Sequence, residues 1–174
     1  MTKQEICELA EQIASTYNPY GLSPFPYEKI TDEKKDLHII LSETAEGISG
    51  ATVYLKASNE FSIIINKNKP KTRQNFTIAH ELGHYFLHKE IIKSEEVLVD
   101  GDNSLDNNIL FRLDAAETSM VETEANNFAA ALIMPESLVR KAWEDLADIE
   151  EMASVFKVSP SAMSIRLEKL GIIE

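Results

Sequence analysis

One cysteine in 174 residues, Cys7, excludes an internal disulfide and fits a reducing compartment, so a cytoplasmic location is expected. Cys7 lies in an amphipathic helical pattern, which reads as a half-buried inert thiol rather than a nucleophile. Basic residues are also short, 17 Lys and Arg against 29 Asp and Glu, for a net charge of -12. Such a chain has little to release counterions from a phosphate backbone, which argues against a general nucleic-acid binder. No segment approaches the length of a membrane span. The first fifteen residues, MTKQEICELAEQIAS, are charged and periodic and do not read as a signal peptide. What remains is ordinary for a globular protein, with 44% hydrophobic and 26% charged residues, enough for one domain with a core.

Histidine is scarce as well, with four in the chain, yet three fall in nine residues: His80, His84 and His88. The stretch Thr77-Ile78-Ala79-His80-Glu81-Leu82-Gly83-His84 contains H-E-x-x-H. Four residues advance about 6 Å along a helix and a little over one turn, so His80 and His84 share a face. Two imidazoles from that face can meet one tetrahedral ion, and Glu81 lies to the side, where it suits the metal's water better than the metal. The competing reading is an amphipathic helix with two surface histidines. Phe76, Ala79, Gly83, Phe86 and Leu87 give the helix an apolar stripe, and Gly83 in mid-helix costs about 1 kcal/mol against Ala, which implies a close approach there.

The chain opens with a helix from about Thr2 to Thr16, with Ile6, Leu9, Ala10 and Ile13 inward. A proline-stiffened connection follows, in which Phe25 and Tyr27 are expected to pack on the body rather than act as a proline-rich ligand. Strands are expected at Asp36–Leu41, Ala51–Lys56 and Phe61–Asn66, and their short turns suggest an antiparallel meander. His38 is read as an outward polar residue. Lys67–Arg73 leads into the H-E-x-x-H helix, with Thr72 as its N-cap. Lys89 to Ala116 is acidic and Asn-rich. A calcium loop starting at Asp100 would need Gly at its sixth position and Glu at its twelfth, and has Leu105 and Phe111. A surface loop on the rim of the cleft is the better reading.

A second helix, from roughly Ala116 to Ile133, supplies candidates for the third ligand. Glu122 and Asn126 are one turn apart on one face, suited to a carboxylate ligand and a residue that holds a ligating histidine by its other nitrogen. Glu124 is the competitor, disfavoured because its i+4 neighbour Phe128 wants the core. Helices at Glu136–Leu146, Asp148–Val158 and Ser159–Gly171 complete the chain. The last two read like a helix-turn-helix, with Ser159 capping, Pro160 at the first position, and only Arg166 and Lys169 as cations.

The block Arg73-Gln74-Asn75-Phe76-Thr77-Ile78-Ala79-His80-Glu81-Leu82-Gly83-His84, followed by Glu122-Thr123-Glu124-Ala125-Asn126-Asn127-Phe128-Ala129-Ala130-Ala131-Leu132-Ile133-Met134-Pro135, resembles the two motifs of the ImmA/IrrE family of zinc metallo-endopeptidases. The resemblance covers nearly the whole chain. It implies His80, His84 and Glu122 as ligands of one Zn2+ ion and Glu81 as the base, with an open position for water. His88 then reads as a buried or supporting residue rather than a fourth ligand.

The expected fold is α+β, a small antiparallel sheet of about three strands on a helical bundle with a zincin-like, gluzincin-type helix pair. A single metallopeptidase domain over 1–174 is expected, with helix and sheet over about 2–70, active-site helices over 72–134 and a C-terminal helical unit over 136–174. By the same resemblance the substrate is a repressor-like DNA-binding protein of a mobile element or stress regulon. A helix-turn-helix regulator and a non-catalytic, metal-bearing partner or antitoxin are the alternatives. Tyr54, Tyr85 and Arg73 are oxyanion candidates by type alone, and Phe61–Asn66, if a sheet edge, could hold an extended peptide.

Overall fold

Thr2 starts the first helix with a capping box: its hydroxyl accepts from the Glu5 amide, while the Glu5 carboxylate accepts from the Thr2 amide. The helix, α1, runs over Lys3–Tyr17 and buries Ile6, Ala10, Ile13 and Ala14, with Leu9 partly covered. The computed structural model describes residues 1–45, 47–94 and 115–174, with side chains described from 119 onward in the last stretch. The Asp100-centred segment lies outside the described residues.

Downstream of α1, Phe25 and Tyr27 pack into the core, as expected, at 4% and 8% exposure. The Tyr27 hydroxyl donates to Asn75, whose own amide nitrogen donates to the Lys157 carbonyl. One buried asparagine thus ties the N-terminal connection to the H-E-x-x-H helix and to the C-terminal helices. A short helix, α2 (Glu28–Glu33), follows where no helix was expected.

Three strands form as expected, β1 (Leu37–Ser42), β2 (Gly50–Leu55) and β3 (Glu60–Asn66), but they are not a meander. Their order is β1-β3-β2, with β2 antiparallel and β1 parallel to β3. The reason is burial. Phe61, Ile63 and Ile65 of β3 are 0–2% exposed, and Ser62 and Asn66 on the other face are also buried, so this strand takes the centre. On the edge strand β1, Ile40 and Leu41 stay about half exposed. The expectation that Phe61–Asn66 is an edge able to add a peptide strand is therefore wrong. Both of its flanks are already paired, and among the described residues the strands with an open side are β1 and β2.

The second large helix, α3 (Lys71–Leu87), has its cap two residues before the expected Thr72. Pro70 takes that place, and the Gln74 side chain donates to the Lys67 and Lys69 carbonyls just upstream. A short α4 (Lys89–Ser94) continues from it, inside the segment read as loop. Helix α5 (Ala115–Ile133) packs along both α3 and α1, and its Ala125, Phe128, Ala129 and Leu132 are at most 1% exposed. Beyond Pro135 come α6 (Glu136–Leu146), α7 (Ile149–Phe156) and α8 (Pro160–Lys169). Ser159 caps α8 on the Ala162 amide, as expected, and Asp148 caps α7 on the Glu151 amide. Among the described residues, no helix is long and apolar enough to cross a membrane.

Candidate metal centre

Helix α3 carries His80 and His84 one turn apart, and what brings a third group to them is the closeness of α5. A methyl group built on Gly83 would lie 3.0 Å from the Ala125 Cα and 3.1 Å from its carbonyl oxygen. Gly83 and Ala125 thus bring the two backbones nearer than larger residues would permit, which answers the close approach that the sequence implies. Glu122 and Asn126, on one face of α5, then reach across.

The result is a tight triangle. His80 Nε2 and His84 Nε2 are 3.0 Å apart, and Glu122 places Oε2 3.2 Å from the first and Oε1 3.3 Å from the second. Among the described residues these three form a group whose donor atoms could share one ion. Ligands about 2.05 Å from a tetrahedral zinc would be separated by about 3.3 Å, so the triangle has the size such an ion needs. The donor set, two imidazoles and a carboxylate, also fits zinc, and three protein ligands leave a coordination position for water or substrate.

Neighbouring groups aim the donors. His80 Nδ1 is 3.1 Å from the Asn126 side-chain oxygen, which can only accept, so Nδ1 carries the hydrogen and Nε2 offers its lone pair to the triangle. Burial pushes the His80 pKa down, but the Glu122 hydrogen bond and the charges of Glu81 and Glu122 outweigh this and leave it above its ordinary 6.5. Hydrogen bonds from His80 and His84 hold the Glu122 carboxyl far below the usual carboxylate range, against the opposing effect of burial. The site thus favours an added positive charge, whether a proton or a metal cation.

Glu81 is 6% exposed and its carboxylate accepts from the Thr52 hydroxyl at 2.8 Å. A hydroxyl has one hydrogen to donate, and the 3.2 Å contact to the Glu81 carbonyl is the longer of its two. Sequence reasoning missed Thr52. Nothing in a strand threonine signals a partner 29 residues away. It also dismissed Glu124 as core-facing, whereas Glu124 Oε2 lies 2.9 Å from His88 Nε2.

The oxyanion candidates fare less well. The Tyr85 hydroxyl donates to Asp36 and the Tyr54 hydroxyl to Asn59, while Arg73 is exposed on the first turns of α3. No described contact links any of the three to the triangle. In the helix-turn-helix-like pair, Arg166 is 5% exposed, donating from Nε to the Met134 carbonyl and from Nη2 to Glu11. Lys169 donates to Asn127. Of the two cations of the supposed recognition helix, Arg166 is thus buried in internal packing, while Lys169 is exposed.

Comparison with known proteins gives the family. The family model described as the IrrE N-terminal-like domain, a peptidase family, matches residues 32–168. The metallopeptidase ImmA of Bacillus subtilis (strain 168) is 27% identical over 150 residues, 82% of this chain and 75% of that protein. A solved Mycobacterium tuberculosis transcriptional regulator matches with a TM-score of 0.64 at 19% identity, over 94% of this chain and 47% of that one. This chain spans about half the length of that regulator, and the likeness is one of fold. With the family model matching most of its length, the chain belongs to the ImmA/IrrE family of metallopeptidases.

Proposed function

We propose that the protein is a zinc-dependent endopeptidase, with His80, His84 and Glu122 holding the ion and Glu81 acting as the base. The observation that carries this reading is the triangle of donor atoms, 3.0–3.3 Å on a side, with a buried carboxylate next in sequence that is not among the donors. Zinc, when bound, supplies Lewis acidity that acidifies a water and polarises a peptide carbonyl. Glu81 takes a proton from the attacking water and hands it to the leaving amine. Thr52 holds the Glu81 carboxylate, and Asn126 holds the His80 ring. A purely structural metal site would have no use for a base in the position of Glu81, which separates this reading from that of a non-catalytic partner or antitoxin.

The substrate class we propose is a repressor-like DNA-binding protein, the target implied by the family motifs. The test is co-expression with a candidate repressor encoded nearby, comparing wild type with Glu81→Gln. Loss of intact repressor with wild type alone supports the assignment. Equal loss with both would refute the catalytic role of Glu81.

A further inference from the structure

The second ring nitrogen of His80 meets Asn126. His84 Nδ1 instead faces another imidazole nitrogen, His88 Nδ1, at 3.2 Å, and His88 Nε2 lies 2.9 Å from Glu124 Oε2. Both histidine side chains are 5% exposed, and Glu124 is 19% exposed, so water has little access to the contacts.

We propose that Glu124 and His88 are positioning residues that fix the ring orientation and tautomer of His84, so that its Nε2 lone pair faces the metal. This rests on the reading of His84 as a ligand through Nε2. The hydrogens can be placed in one order. An ionised carboxylate only accepts, so His88 Nε2 carries the hydrogen that binds Glu124. A neutral imidazole has one N–H, so His88 Nδ1 presents a lone pair. His84 Nδ1 and His88 Nδ1, unlike the two Nε2 atoms that would share the ion, need one hydrogen between them at 3.2 Å, so His84 Nδ1 carries it. His84 Nε2 is then the bare nitrogen, and it is the atom at the triangle.

Read from the site outward, the relay is His84, His88, Glu124, with both N–H bonds pointing toward the carboxylate. It does for His84 in two steps what Asn126 does for His80 in one. Since both nitrogens of His88 are engaged in it, His88 is not a fourth ligand. The same holds for the rival carboxylate, whose Oε2 is turned to His88. A carboxylate at the end of such a relay also makes the ligand more electron-rich, and outer partners of this kind typically change metal affinity 10–100-fold.

The decisive measurement is a long-range nitrogen–proton NMR spectrum of the zinc-loaded wild type. His84 is expected as the Nδ1–H form and His88 as the Nε2–H form; His88 as the Nδ1–H form overturns the proposal. A second measurement is zinc affinity by chelator competition. His88→Leu, which removes the acceptor, is expected to weaken binding about 10–100-fold. His88→Asn, whose side-chain oxygen stands near the place of Nδ1, is expected to recover most of that loss. Unchanged affinity in the Leu variant, or no difference between Leu and Asn, refutes the relay. Should either variant misfold by circular dichroism, the wild-type spectrum decides. His80→Ala separates the two levels: if it binds zinc as tightly as wild type, the metal site itself is wrong, whereas loss there with no loss in His88→Leu sinks the relay alone.

Discussion

Gly83→Ala is a small change whose consequence depends on the packing of α3 against α5. The added carbon would sit 3.0 Å from the Ala125 Cα, 3.1 Å from the Ala125 carbonyl oxygen and 3.3 Å from the Phe128 Cβ. Carbon atoms prefer about 3.5–4.0 Å, so the helices must part by about 0.5 Å or more, and backbone atoms cannot rotate out of the way. Overpacking of this kind costs about 1–3 kcal/mol, while exchanging glycine for alanine in a helix returns about 1 kcal/mol. The net effect on the metal-free protein is therefore about 0–2 kcal/mol of destabilisation, a fall in Tm of at most about 8 °C at this chain length.

The effect on the metal site is larger in proportion. Ligand positions must hold to about 0.2 Å, and Glu122 lies one turn before Ala125 on the helix that is pushed away. The separation of His80 and His84, both on α3, is unaffected, while the two Glu122 distances, 3.2 and 3.3 Å, lengthen. Zinc affinity is expected to fall at least tenfold, about 1.4 kcal/mol. Chelator competition measures this, alongside thermal unfolding with and without zinc. A Gly83→Ala protein with wild-type zinc affinity and a higher metal-free Tm would refute the reasoning, since that is how an uncrowded helix glycine behaves.

Thr52→Val removes the donor to the Glu81 carboxylate, so kcat is expected to drop about tenfold with zinc affinity unchanged; a kcat within twofold of wild type would sever Thr52 from the base. Arg166→Met strips a buried guanidinium from Glu11 and the Met134 carbonyl, at a cost of about 3 kcal/mol and about 6–12 °C in Tm, and an unchanged Tm would show the contact to be idle. In chelator-treated protein, the stability advantage of wild type over Glu122→Gln follows the sign of two shifts. The folded His80 pKa lies above 6.5, so its share is present below 6.5 and is lost as pH rises through the folded value. The folded Glu122 pKa lies below 4.5, so its share is present above 4.5 and is lost as pH falls through the folded value. Urea unfolding across this range should show an advantage that declines on the alkaline side; one that grows there would reverse the assigned sign.

What the sequence makes legible here follows the range of the physics. The spacing of His80 and His84 needs only helix geometry, the Ser159 cap needs only three residues, and both stand in the structure. The strands were readable from β-branched runs, but their order was not, because β1 pairs with a segment 24 residues on, Leu37 with Phe61. Helices α2 and α4 are six residues each, too short for a periodic pattern to form. Of the contacts that support the site, Asn126 on His80 was legible from its one-turn spacing to Glu122, whereas Thr52 with Glu81, across 29 residues, and His88 with Glu124, across 36, carry no such local signal.

Glu124 shows why facing alone is an incomplete guide. Glu122 and Glu124 are two positions apart, about 200° around an α-helix, so a single ion on one face can take only one of them. That argument selects Glu122, whose carboxylate oxygens lie 3.2 and 3.3 Å from the two imidazoles. It does not follow that the other carboxylate serves only the core. Three histidines at intervals of four drift about 40° per turn along α3, so His88 leaves the face of the triangle. At that drifted position it meets Glu124. All three histidines are thereby engaged by α5 residues between Glu122 and Asn126, next to the Gly83–Ala125 contact. Helix packing and the ligand geometry are set by the same few ångströms, and a substitution that disturbs one disturbs the other.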